Sequence, residues 1–346
     1  MHPREILLGA QAGGVTIPVC DHYSGVEARM RKSLQLQAEM TEEFGACVFD
    51  VTLDCEDGAP VGGEADHAAM VVALVALAAD KARVAVRVHA VDHPAFEADI
   101  ATIAGAVGDR LSHIMVPKVE SAQDVLRVEQ ALRAAGAQEL PVHVLVESPA
   151  AVHQVHDIAV HPRVQSISFG LMDFVSSHGG AIPASAMGAR PDADGIDQFS
   201  HPLVLRAKLA IASACHAHGK VPSHCVVTEF TDTAAMQTAA RQAARQLGYT
   251  RMWSIHPAQI RPIIAAFTPD PREVDDASAI LSAAEAAAWA PVSVRGQLHD
   301  RASYRYYWQV LERAWQTGCQ LPPEMARHFQ RQASATPVQN PPPRAH

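Results

Sequence analysis

Short apolar, β-branched runs recur along this chain, and each is followed by a stretch with helical spacing of its apolar positions. VTIPVC leads into a helix expected from Ala28 to Phe44, CVFDVTL into one across Asp66 to Ala79, and VAVRVH into one near Phe96 to Val107. HIMVPK precedes a helix from Ala122 to Ala135, VHVLVE one near Ala151 to Ala159, and VQSISFG a longer excursion. Strand followed by helix, repeated, predicts a parallel sheet with helices outside it. A helix from Pro202 to His218, a weak strand near Cys225, a helix from Thr233 to Leu247 and the strand MWSIHP bring the count to about eight units, the number that closes a TIM (β/α)8 barrel.

Two stretches depart from this rhythm. Ser176 to Ser200 is rich in Gly, Pro, Ser and Asp without periodicity and predicts a long loop over the strand-end face. From Pro271 onward the pattern is helical only, with an Ala-rich helix to Ala288 and another from Ala302 to Trp315. The expected organisation is a catalytic barrel over residues 1–268, a C-terminal helical extension over 269–320 that bridges subunits or packs beneath the barrel, and a disordered tail over 333–346.

Composition narrows the class. With 48% hydrophobic and 19% charged residues the chain buries a large core, and its net charge of -9 argues against general affinity for nucleic acid or anionic membranes. Six scattered cysteines without C-x-x-C spacing read as reduced thiols. No uninterrupted apolar segment is long enough for a bilayer, and the N-terminus lacks a secretory apolar stretch, so a cytoplasmic location is expected.

Charged residues cluster where the apolar runs end, and in a parallel barrel all strand C-termini open on one face. Glu147 and Asp173 end or follow consecutive strands and offer two hard oxygen donors, a set that suits Mg²⁺ better than Zn²⁺. Capping of the following helices or pairing with a lysine is the plainer alternative. DCEDGAP puts Asp54, Glu56 and Asp57 at one strand end, as a solvated turn or as carboxylates orienting metal-bound water. Arg87 stands in an apolar strand, where it needs a polar cavity or a carboxylate partner. His153 with His156 and His216 with His218 fall on outer helices, away from strand ends, whereas His256 in SIHPAQI ends a strand and is expected to cap a helix or bond outside the metal's ligand shell. Lys118 is the one strand-end lysine, without an obvious Schiff-base setting. No G-x-S-x-G elbow, P-loop or strand-following G-x-G-x-x-G is present, which sets aside serine hydrolase, nucleotide triphosphatase and dinucleotide-binding readings.

Taken together, LDCED, VRVH, MVPKVESA, VLVESPAAVHQVHDIA, FGLMDF, FTD and SIHPAQI resemble, in order and spacing, the citrate lyase β-subunit-like branch of the HpcH/HpaI aldolase superfamily, which includes malyl-CoA and citramalyl-CoA lyases. The resemblance covers about residues 45 to 315. It implies a Mg²⁺-binding TIM barrel with Glu147 and Asp173 as ligands, Arg87 on substrate oxygens, and Glu56 and Asp57 by the metal's water shell. Lys118 and His256 are further candidates for binding substrate or CoA. It implies also that Asp300, in GQLHD, enters a neighbouring protomer's site, and hence a homo-oligomer, a trimer or a hexamer.

The activity implied is Mg²⁺-dependent cleavage of a small 3-hydroxyacyl-CoA into a 2-oxo acid and an acyl-CoA. Two alternatives stand beside it: a thioesterase of the malyl-CoA type, and a carrier-dependent citrate lyase β-like or non-catalytic subunit. The chain departs from the family pattern at IPVCDHYSG, where an FVPG-like run is usual, at His89 after VRV, at His224 and at Arg251-Met252. These departures bear on CoA recognition and substrate identity.

Overall fold

The computed structural model describes residues 2–9, 12 and 16–330, so the expected tail over 333–346 lies outside the described residues. In chain order α1 (Pro3–Leu8) is followed by β1 (Cys20–Ser24) and α2 (Glu27–Phe44), β2 (Phe49–Asp54) and α3 (Glu64–Leu77), and β3 (Val84–Arg87) and α4 (Phe96–Val107). Next come β4 (Leu111–Val116) and α5 (Ala122–Ala134), β5 (Val142–Val146) with α6 (Pro149–His153) and α7 (Val155–Val160), and β6 (Val164–Phe169) with α8 (Leu171–Ser176) and α9 (Pro202–Ala217). The alternation ends with β7 (Val221–His224) and α10 (Thr233–Gln246), then β8 (Arg251–Ser254) and α11 (Pro257–Phe267). Beyond it lie α12 (Pro271–Ala286), the strands β9 (Val292–Val294) and β10 (Gln297–His299), α13 (Arg301–Gln316) and α14 (Pro323–Gln330).

Strands β1 to β8 pair in sequential order, all parallel, and β8 closes on β1. This is the expected TIM barrel. The described residues divide into two compact units, residues 17–267 and a second formed by those up to Thr16 together with 268–330. The second unit has its own core, in which Leu7 and Leu8 of α1 join Leu281, Tyr304, Trp308, Leu311 and Phe329. Among the described residues no helix is long and apolar enough to cross a membrane.

Local chemistry explains where the barrel helices begin. Ser121 and Asp124 form a capping box at α5, and the Ser148 hydroxyl accepts the Ala151 N–H at α6, with Pro149 in the first turn. The outer faces of the strands pack Val51, Leu53, Val86, Ile114, Val144 and Ile167 against the surrounding helices.

The interior is layered, because residues i, i+2 and i+4 of a strand share a face. At the bottom, Asp21, Asp50, His113, His143 and Arg251 are all fully buried; Arg251 lies 2.8 Å from Asp21 and 2.7 Å from Asp50. Two residues further along, Tyr23, Met115, Leu145 and Trp253 form an apolar layer. Two further still, Asp54 and Glu147 reach the mouth, joined there by Arg87.

Three local expectations are corrected. The first strand is Cys20–Ser24 and not Val15–Cys20, so Asp21, His22 and Tyr23 are inside it. Pro18 has no N–H for the ladder, and the polar Asp21 is satisfied within the barrel by Thr52 at 2.6 Å and by Arg251. The stretch after Pro271 is not helical only: Arg295 (φ 50°) and Gly296 (φ 80°) make the two-residue turn of a β9–β10 hairpin. The helix expected near Ala151 to Ala159 is two short ones, broken at Gln154.

Candidate active site

Asp54 and Arg87 are register partners at the ends of β2 and β3. Arg87 Nε donates to Asp54 Oδ1 at 2.6 Å and Nη2 to Asp54 Oδ2 at 2.7 Å, a bidentate pair. Nη2 also donates to Asp57 Oδ2 at 2.7 Å, and Nη1 lies 2.9 Å from Glu56 Oε2. Burial opposes the charge on Arg87, but the hydrogen bond and charge of Asp54 outweigh it and hold the guanidinium charged. Nε and both N–H groups of Nη2 are thus hydrogen-bonded, and Nη1, which has Glu56 at ion-pair distance, is the guanidinium nitrogen left to face a ligand. The strand-end pattern assigns Asp54 no task of its own; the structure makes it the group that fixes the Arg87 fork.

Glu56 spans two cations, since its other oxygen takes the Lys118 ammonium at 2.7 Å. That bond raises the Lys118 pKa. Lys118 contributes to the site through its backbone as well. It adopts φ 51°, unusual for a side-chain-bearing residue, and its N–H donates to Glu147 Oε1 at 3.1 Å.

Glu147 is buried just past β5, and Asp173 stands in the first turn of α8, after the neighbouring strand β6. Burial first, and then the facing Asp173 charge, push the Glu147 carboxyl up to about 8. Gly170 makes room for this carboxyl: a Cβ there would lie 2.7 Å from Glu147 Cγ and 2.8 Å from its Oε2. Two hard oxygen donors facing each other in a partly desolvated mouth fit a divalent cation of the Mg²⁺ type, which would take the place of the proton.

These groups line a cavity of about 350 Å³ bounded by Arg29, Asp54, Asp57, Arg87, Glu147 and Asp173 on its polar side. Tyr23, Leu145, Phe169, Met172, Val226 and Trp253 form its apolar side. A larger hollow of about 550 Å³ runs between α2 and α3 on the outer wall, but none of the strand-end groups lines it. His256 does not line the cavity either. Its ring accepts the Ala258 N–H at the start of α11 and stacks on Phe230 at 4.8 Å, a capping arrangement. Asp300 belongs to the second unit, where its Oδ1 accepts the N–H groups of Ala302 and Ser303 and caps α13.

At the barrel bottom, ligand-type atoms of Asp21, His113 and His143 lie within 4.8 Å of one another. The two imidazoles are stacked, with centroids 3.5 Å apart and planes 15° from parallel, so their in-plane lone pairs do not converge on one point. Burial lowers the pKa of both, leaving them neutral, and Arg251 already supplies the cation next to Asp21.

The family profile described as HpcH/HpaI aldolase/citrate lyase matches residues 34–257. The L-malyl-CoA/β-methylmalyl-CoA lyase of Cereibacter sphaeroides is 33% identical over 259 residues, which are 71% of this chain and 80% of that one. A citrate lyase from Burkholderia xenovorans LB400 of known crystal structure is 46% identical and superposes with a TM-score of 0.76, covering 95% of this chain and 99% of that one. CitE of Mycobacterium tuberculosis, solved with magnesium, acetoacetate and coenzyme A, is 22% identical with a TM-score of 0.64 over 87% of this chain and 99% of its own, a likeness of fold. The chain belongs to the HpcH/HpaI aldolase/citrate lyase family.

Proposed function

We propose that this protein is a Mg²⁺-dependent carbon–carbon lyase that cleaves a small 3-hydroxyacyl-CoA, such as malyl-CoA or citramalyl-CoA, into a 2-oxo acid and an acyl-CoA. The observation that carries the reading is the Glu147–Asp173 pair beside the Asp54-anchored Arg87, in a chain one-third identical to malyl-CoA lyases. Glu147 and Asp173 would hold the metal, which supplies Lewis-acid polarisation of substrate oxygens when bound. The Lys118 N–H orients the Glu147 carboxylate, and Asp54 orients Arg87 so that Nη1 is left to meet charge developing on the oxo-acid oxygens.

In the cleavage the substrate hydroxyl loses its proton, the bond between the hydroxyl-bearing carbon and the thioester α-carbon breaks, and the electron pair passes to the thioester as an enolate. Protonation at the α-carbon completes the acyl-CoA. On this reading the barrel, residues 17–267 and not the expected 1–268, carries catalysis, and 269–320 bridges subunits of a homotrimer or a dimer of trimers. Asp300 of the partner subunit then exchanges the α-carbon proton.

The 46% identity to a protein described as a citrate lyase supports a second reading on the same groups, cleavage of a citryl thioester to oxaloacetate. Both readings require the carboxylate pair. Glu147→Gln and Asp173→Asn should each abolish Mg²⁺-dependent release of a 2-oxo acid without changing the circular dichroism of the fold. Full turnover in both variants would overturn the assignment.

A further inference from the structure

Tyr23 occupies the apolar layer directly beneath the mouth and lines the cavity together with Arg87 and Glu147. Its ring stacks on Trp253 at 4.2 Å between centroids, and the Arg87 guanidinium lies 5.2 Å from its centroid. Its hydroxyl is buried and has no hydrogen-bond partner among the described residues. The neighbouring indole N–H cannot serve, being a donor already bound to Ser168 Oγ at 2.9 Å. Phenylalanine would keep the stack, the packing and the contact with Arg87 without burying an orphan hydroxyl, so the fold gains nothing from the oxygen.

We propose that the Tyr23 hydroxyl is a substrate-specificity group, donating a hydrogen bond to a carboxylate oxygen of the 2-oxo-acid half of the substrate. The proposal rests on the lyase reading of the same cavity. A carboxylate seated at the mouth would face Arg87 from the side, and Tyr23 is the unpartnered hydroxyl that the barrel places below it. Burial pushes the phenol well above its ordinary range, which keeps it a neutral donor at working pH. Tyr23 lies in DHYSG, the segment that departs from the family's FVPG-like run.

Tyr23→Phe separates this role from a structural one. With Mg²⁺ present, kcat/KM on malyl-CoA and citramalyl-CoA should fall roughly 10- to 100-fold, while the melting temperature without ligand stays level or rises. Oxalate, used as a dicarboxylate probe with Mg²⁺, should protect the variant against thermal unfolding less than it protects the parent. A kcat/KM within twofold of the parent with equal oxalate protection would overturn the proposal. So would an activity loss accompanied by a lower melting temperature, because the hydroxyl would then be a structural bond. If the parent itself cleaves neither thioester, the lyase reading fails, and the comparison of oxalate protection decides the role of Tyr23 by itself.

Discussion

Gly170→Ala tests the geometry of the metal-binding pair without touching either carboxylate. The Gly170 backbone, at φ -87° and ψ 82°, is open to any residue, so the whole effect of the new methyl is steric. Its carbon would sit 2.8 Å from Glu147 Cδ and Oε2, and ordinary contact returns only when that carboxyl retreats by about 0.6 Å. Glu147 is hemmed in by burial and by the Lys118 N–H at 3.1 Å, so the retreat strains the hydrogen bond and moves a metal ligand. Overpacking of this kind destabilises by about 1–2 kcal/mol, whereas misplacing a metal ligand weakens binding by roughly 10- to 100-fold. The assay is a Mg²⁺ titration of turnover alongside thermal unfolding without metal. The midpoint should move up by one to two decades, on the order of 1.4–2.7 kcal/mol, with a modest fall in melting temperature. An unchanged Mg²⁺ midpoint would refute the claim that Glu147 holds the metal in this position.

Two further substitutions probe other parts of the molecule. Lys208 on α9 is fully buried, donates to Gln198 Oε1 at 2.8 Å, and is pushed by burial down to about 8. The unfolded chain keeps that proton up to its ordinary value of 10.5, so the folded state binds fewer protons between the two and stability through this group rises from pH 8 to pH 10. Lys208→Met should remove that slope and raise the unfolding free energy at pH 7 by about 1–3 kcal/mol; chemical denaturation at pH 7 and 9.5 measures it, and a less stable variant at pH 7 would contradict the reasoning. Asp300→Asn should preserve the α13 cap, and so the melting temperature, but abolish exchange of the acyl-CoA α-proton with deuterated solvent. Exchange at the parent rate would show that Asp300 serves only as a cap.

The barrel is readable from the alternation of strand and helix, and the mouth from acids and cations at strand ends. Glu147, Asp173, Arg87, Glu56 and Asp57 are visible because each interrupts an apolar run where a strand stops. Asp54 hides among its neighbours, since DCED shows three acids and only the β2–β3 register reveals which one takes the Arg87 fork bidentately. The bottom layer hides for a different reason: Asp21, Asp50 and Arg251 are polar at positions where an interior is expected to be apolar, and the polarity of Asp21 displaces the apparent position of β1. Their compensation is long-range, across strands 30 or more residues apart in sequence. The β9–β10 hairpin is signalled only by Arg295-Gly296, a pair less typical of such turns than Asn-Gly. Gly170 carries no sequence signal, because its close approach to Glu147 exists only in three dimensions, and the departure at DHYSG marks Tyr23's segment without showing that its hydroxyl has no partner.

The most direct test of the central claim is to incubate the purified protein with malyl-CoA and citramalyl-CoA, with Mg²⁺ and with EDTA, and to resolve 2-oxo acid, acyl-CoA and free CoA. The account predicts equal amounts of 2-oxo acid and acyl-CoA, formed only when Mg²⁺ is present. Free CoA with intact hydroxy acid, or cleavage that continues in EDTA, would contradict it.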